Sequence, residues 1–132
     1  MQEFRVHTRS RTELVDITRE VGAAIQSEGV EDGLCVVYCP HTTAGITIQE
    51  NADPDVVGDL VRELNQIVPF EDGYRHSEGN SAAHIKSSLV GCSEVLVVKG
   101  GRPVFGTWQA VYFCEFDGPR HRRVIVQACG TG

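Results

Sequence analysis

Hydrophobic positions in this chain recur with two periods, and the switches between them mark out its elements. Phe4-Arg5-Val6-His7-Thr8 alternates apolar and polar, the period of a half-buried strand. From Asp16 the period lengthens. Ile17, Val21, Ala24 and Ile25 fall on one face of a helix, with Asp16 as its N-cap and Gly29 as its stop. Asp32-Gly33 predicts a turn, and Leu34 to Cys39 a nearly continuous apolar strand ended by Pro40. Gly45 to Gln49 alternates again as a second strand. Asp53-Pro54 reads as a cap followed by proline at the first helical position. Val56, Val57, Leu60, Val61 and Leu64 form the apolar stripe of that helix, which ends near Pro69.

Phe70 to Gly79 is a polar loop, and Asn80 caps a short third helix carrying Ala82, His84, Ile85 and Leu89, stopped by Gly91. The remainder has β character. Glu94 to Val98 is a strand, Lys99-Gly100-Gly101-Arg102 a hairpin turn, and Val104 to Phe116 one or two strands around Gly106. Asp117 to Arg120 is a turn before a last strand from Arg122 to Ala128, with Val124 and Val126 on one face. Strands joined through hairpins favour antiparallel pairing, and the three helices do not alternate strictly with them. The expectation is α+β: a compact, mainly antiparallel β-sandwich with about three flanking helices.

Composition narrows the field. The 132 residues suit one domain, taken as 1–132, and no linker, repeat or low-complexity tract divides them. A formal charge of -6 argues against a general nucleic-acid binder, while leaving room for a small basic pocket. No apolar run approaches the roughly 20 residues that cross a bilayer. The N-terminus lacks the pattern of a secretory signal. Five cysteines without a C-x-x-C pair read as reduced, mostly buried thiols of a cytoplasmic protein.

Histidine is the informative residue type. His41 ends an apolar strand, His76 lies in the polar loop, and His84 is on the third helix. Three histidines from three elements suit a metal site with an open position, whereas spacing alone favours solvated loop and helix-surface residues. His7 and His121 read as strand or turn surface residues. In His41-Thr42-Thr43-Ala44-Gly45 two hydroxyls and a small-residue turn follow a buried strand. This is equally an anion-holding loop or an ordinary polar connection. Asp53 and Asp55 have a capping role, but Glu50 precedes the cap. Glu115 and Asp117 share a strand face with Arg120 after them, a candidate acid–base pair or a turn with a salt bridge. Trp108 by default packs in a core, and Gln109 beside it is a candidate pocket residue. Cys39 reads as a buried structural thiol.

The run from His41 to Asp53 resembles the signature of the YjbQ family, UPF0047. The likeness continues through Tyr74-Arg75-His76, Asn80-Ser81-Ala82-Ala83-His84, Gly91-Cys92-Ser93, Gly106-Thr107-Trp108-Gln109 and Glu115 to Arg120. It covers essentially the whole chain and departs at Arg102-Pro103 in the hairpin. The resemblance implies a homotrimer and a secondary, weak thiamine-phosphate synthase activity, which joins a hydroxymethylpyrimidine pyrophosphate to a thiazole phosphate and releases pyrophosphate. It places His41, His76 and His84 on motif histidines as ligands of a divalent metal, zinc or another transition metal by ligand type, magnesium by reaction type. On this reading Thr42, Thr43 and Arg120 serve the phosphates, Trp108 and Gln109 the ring, and Asn80 and His84 reach one pocket together. The alternatives are a metal-dependent hydrolase with Glu50 or Glu115 as base, or a module that binds a phosphorylated metabolite without turnover.

Overall fold

The computed structural model describes residues 1–131 as two antiparallel sheets and three helices. Strands β1 (Gln2–His7), β3 (Gly33–Tyr38), β5 (Ser93–Lys99), β6 (Arg102–Pro103) and β8 (His121–Gly130) form one sheet in the order β1-β8-β3-β5-β6. Strands β2 (Glu13–Asp16), β4 (Ala44–Glu50) and β7 (Gln109–Glu115) form the other in the order β2-β7-β4. The helices are α1 (Thr18–Glu28), α2 (Pro54–Ile67) and α3 (Ser81–Val90). The expected α+β sandwich of antiparallel strands with three helices is what the chain forms.

The core lies between the two sheets and under α1. Val37, Val124 and Val126 from the larger sheet meet Ile46, Val111 and Phe113 from the smaller, and Ile17, Val21 and Ile25 close it from the helix. These are the positions set by the two periods in the sequence. A second, smaller cluster of Ala83, Cys114 and Phe116 seats α3, with Leu64 of α2 against it. None of the described helices is long and apolar enough to cross a membrane.

Two local expectations are corrected, the cap of α1 and the burial of Trp108, and one is narrowed. Glu13–Asp16 is a strand paired with Tyr112–Glu115, too short to show a period, so the N-cap position of α1 is Ile17 rather than Asp16. The Asp16 carboxylate still accepts from the Thr18 amide at 2.9 Å, one residue outside its expected place. Only β7 forms between Val104 and Phe116, because Gly106 to Gln109 is a turn closed by Gln109. Trp108 sits in that turn 60% exposed, not in the core. The Asp53 cap and Pro54 start of α2 stand as read, with Asp53 accepting from the Asp55 amide at 2.9 Å. So does the hairpin at Gly100 and Gly101. Both take positive φ, which a tight turn between twisted strands needs.

Candidate functional site

Beside the end of the smaller sheet at Ala44 and Glu115, the chain brings together the β3–β4 link, the turn before β8, the 70–80 loop and α3. The floor is a buried ion pair. Arg122 is 5% exposed and Glu115 fully buried. Arg122 donates from Nε to Glu115 Oε1 at 2.9 Å, from Nη2 to Glu115 Oε2, and from Nη2 to Thr43 Oγ1 at 2.9 Å. The carboxylate also accepts from Thr8 Oγ1 at 2.7 Å and from the Asp117 amide at 3.0 Å. Burial opposes its charge, but these donors outweigh burial and hold the carboxyl below the ordinary glutamate range. All its acceptor positions are occupied from within the chain, and Glu115 holds Arg122 in place. Arg122 was missed as a site residue. Its signal was a lone charge in phase with Val124 and Val126, on the buried face of β8.

The rim is a second polar group. Asp117 accepts from Arg120 Nη2 and from Asn80 Nδ2, both at 2.9 Å, and Arg120 Nε donates to the Asp117 carbonyl at 2.8 Å. Burial works against the Asp117 charge, and Asn80 and Arg120 outweigh it, so this carboxyl also titrates low. Asn80 occupies the N-cap position of α3, but its side chain makes no cap bond there. The amide turns to Asp117 instead, which leaves Asn80 Oδ1 buried without a partner.

His84 is the hub. Its ring stands perpendicular to that of His76, with centroids 5.6 Å apart. It borders three adjoining cavities. One, of about 580 Å³, has His76, Tyr74 and Arg75 on its walls. A second, of about 440 Å³, has His41, Thr42 and Cys92. The third, of about 350 Å³, is lined by Thr42, Thr43, His76, Glu78, Asn80, His84, Arg120 and Arg122. Gly45 permits this arrangement: a Cβ there would come within 2.6 Å of the Gly91 carbonyl, so only glycine lets the end of α3 lie against β4.

The three expected histidines therefore gather around one region, but they do not form a metal cage. His41 Nε2 meets the Arg123 backbone amide at 3.0 Å, and burial with the neighbouring Arg122 charge lowers its pKa. It lines the cavity of Thr42 and Cys92, whereas His76 lines the other two. Among the described residues, no three His, Cys, Asp or Glu side chains are close enough together to enclose an ion. As placed within one chain, the three imidazoles do not enclose an ion.

Glu50, Trp108 and Gln109 are placed elsewhere. Glu50 pairs with Gln109 at one end of the β4–β7 ladder, whereas Ala44 pairs with Glu115 at the other. Six strand steps separate those ends by about 20 Å. Gln109 Oε1 accepts from the Gly106 amide at 2.8 Å, which gives that side chain a turn-closing role. Cys39 is buried as expected, its thiol pushed up to about 11 by desolvation. Cys35 and Cys114 are buried too, so most of the thiols are buried as expected, while Cys92 and Cys129 are exposed.

Comparison with known proteins extends the likeness from motifs to the whole chain. Residues 2–131 match the family described as UPF0047 protein YjbQ-like. UPF0047 protein YugU of Bacillus subtilis is 51% identical over 98% of this chain and 99% of its own length. UPF0047 protein MJ1081 of Methanocaldococcus jannaschii is 52% identical over 97% and 93%. The crystal structure of an uncharacterised conserved YjbQ/UPF0047 protein from Clostridium acetobutylicum superposes with a TM-score of 0.95 at 49% identity, covering 98% of this chain and 100% of that one. A protein of unknown function from Sulfolobus solfataricus superposes at 0.93 with 30% identity, covering 98% and 95%. With its whole length matched in sequence and fold, the chain belongs to the UPF0047/YjbQ family.

Proposed function

We propose that the cavity under His84 binds a small phosphorylated metabolite, and that His84, with His76 beside it, moves a proton on the bound substrate. The observation that carries this reading is the convergence of Arg120, Arg122, Thr42 and Thr43 on a space of about 350 Å³ that also exposes two imidazoles. Guanidinium N–H groups suit phosphate oxygens, and Nη1 of each arginine makes no hydrogen bond among the described residues. Both arginines are already held by carboxylates, which fixes their direction before a ligand arrives. A group transfer in which a phosphate or pyrophosphate leaves would use the cations on the leaving group and an imidazole on the proton. Thiamine-phosphate synthesis, implied by the family resemblance, is one reaction of that type.

The hydrolase alternative loses its base within a single chain. Glu115 is committed to Arg122, and Glu50 lies at the far end of the ladder. The test is turnover by the His84→Ala variant. Thiamine phosphate formed from its two precursors by the wild-type protein should fall on the order of a hundredfold or more in the variant, with pyrophosphate binding retained. Binding without turnover in the wild type would replace the enzyme by a binding module. Loss of neither in the variant would remove His84 from the site.

We also propose that the bare face of the larger sheet is covered by further copies of the chain, as a homotrimer. Leu34, Val36 and Tyr38 on β3 lie beside Val95 and Val97 on β5, each 39 to 58% exposed. This uncharged stripe is on the order of 400 Å², the scale at which exposed apolar surface marks an interface.

A further inference from the structure

We propose that His7 and His121 form a two-histidine site for a divalent transition-metal ion, on the exposed face where β1 meets β8. The two residues are direct cross-strand partners, His7 ending β1 and His121 beginning β8. Both are exposed, their rings are perpendicular with centroids 4.5 Å apart, and the two Nδ1 atoms meet each other. Neither residue lines any of the cavities around His84, so this pair is separate from the phosphate site.

The backbone holds the pair in place. One residue further on, the Thr8 amide donates to the Arg120 carbonyl at 3.0 Å, and the Arg120 amide donates to Thr8 Oγ1 at 2.9 Å. Cross-strand partners on one face keep their Cβ atoms about 5 Å apart, so two imidazoles there need only small rotations to share an ion. In the metal-free pair one Nδ1–H donates to the other Nδ1. When an ion enters, the donor ring carries its proton on Nε2 instead, and both Nδ1 lone pairs face the metal. Zinc-type bonds of about 2.0–2.1 Å put the two nitrogens roughly 3.3 Å apart, a small outward movement from direct contact. Water completes the coordination, because the face is open.

Paired imidazoles select Ni²⁺, Cu²⁺ or Zn²⁺ over the oxygen-seeking Mg²⁺ and Ca²⁺. The next pair on the same face is Arg5 with Arg123. Arg123 is offset by Glu3 at 3.3 Å, and Arg5 makes no ion pair among the described residues. One uncompensated guanidinium nearby opposes a cation, so the affinity belongs in the micromolar range and not with structural zinc.

Ni²⁺ is the probe, since it prefers imidazole and spares the exposed thiols the oxidation that Cu²⁺ brings. Calorimetric titration of the intact protein with Ni²⁺ should show micromolar binding, and amide resonances of Val6, Thr8, Arg120 and Arg122 should broaden first. His7→Ala and His121→Ala should each weaken binding by about tenfold or more, while keeping the wild-type circular dichroism and metal-free unfolding midpoint. A variant that loses the fold is replaced by His7→Asn or His121→Asn, with the same expectation. No Ni²⁺ binding by the wild type, unchanged binding in both variants, or broadening centred on residues 81–90 would overturn the site.

Discussion

Glu115 shows how one residue's role is set by its neighbours. A carboxylate at a strand end beside Asp117 suits acid–base chemistry, yet this one is fully buried and accepts from Arg122, Thr8 and the Asp117 amide. Its partner is equally confined, so removing either leaves the other charge buried alone. Glu115→Gln is expected to cost about 3–5 kcal/mol in urea unfolding. A cost below about 1 kcal/mol would show that the pair does not organise the site. The acid side has a definite sign. Glu115 and Asp117 both titrate below their ordinary values of 4.5 and 3.8, so the unfolded chain takes up protons first. Their stabilisation is complete above pH 4.5 and disappears as the pH falls through the lowered folded values. The unfolding midpoint should therefore drop on acidification below that point, and the drop should shrink in Glu115→Gln.

At the scale of elements, α3 carries His84 and is anchored by its other side. Lys86 is fully buried, donates to Asn65 Oδ1 of α2 at 2.5 Å, and sits 4.2 Å from the centre of the Phe70 ring. Arg11 stacks on the same ring at 3.7 Å. Phe70 begins the loop that carries His76, so these cations pin one end of the loop to the helix behind the site. Burial, with some help from Arg11, lowers the Lys86 pKa from 10.5 to about 8. Between those values the unfolded chain holds more protons than the folded one, so Lys86 makes stability rise with pH. Cys35, Cys39 and Cys114 act oppositely above pH 9, because burial raises their folded values to about 11, 11 and 12. Comparison with Lys86→Met removes the cysteine contribution. The wild type should gain stability relative to that variant by roughly 1 kcal/mol per pH unit above pH 8. A constant difference would mean that Lys86 is not desolvated.

For the whole molecule the open question is what lies on the larger sheet. Its inner face is closed by the smaller sheet and α1, while Val36 and Val95, direct cross-strand partners, face outward. Val36→Glu with Val95→Lys would place opposite charges across one ladder step, tolerable in an exposed monomer and costly in an apolar interface. Sedimentation equilibrium of the wild type should give three times the chain mass, and the double variant should dissociate with its secondary structure intact. A monomeric wild type at micromolar concentration would remove the proposed assembly.

Much of the architecture follows from local pattern. The 3.6-residue period of Ile17, Val21 and Ile25, the Asp53-Pro54 start and the Gly100-Gly101 turn each encode their element within a few residues. The short strand at Glu13–Asp16 escaped because four residues carry too little periodicity, and its partner Tyr112–Glu115 lies about a hundred positions away. The sequence by itself determined the fold class and, through the motif residues, the family. It also singled out His76 and His84, which the fold brings into edge-to-face contact. It could not determine the job of each polar residue, since that depends on which donors meet which acceptors across the fold. Only the tertiary structure turned Glu115 into a support for Arg122 and took Asn80 from a helix cap to the Asp117 carboxylate. Likewise it placed Glu50 and Gln109 at the far end of the ladder and brought His7 against His121, 114 residues later. The physical reason is range: helix and turn preferences act over a few neighbours, whereas charge pairing and burial are decided by contacts that exist only after the strands have aligned.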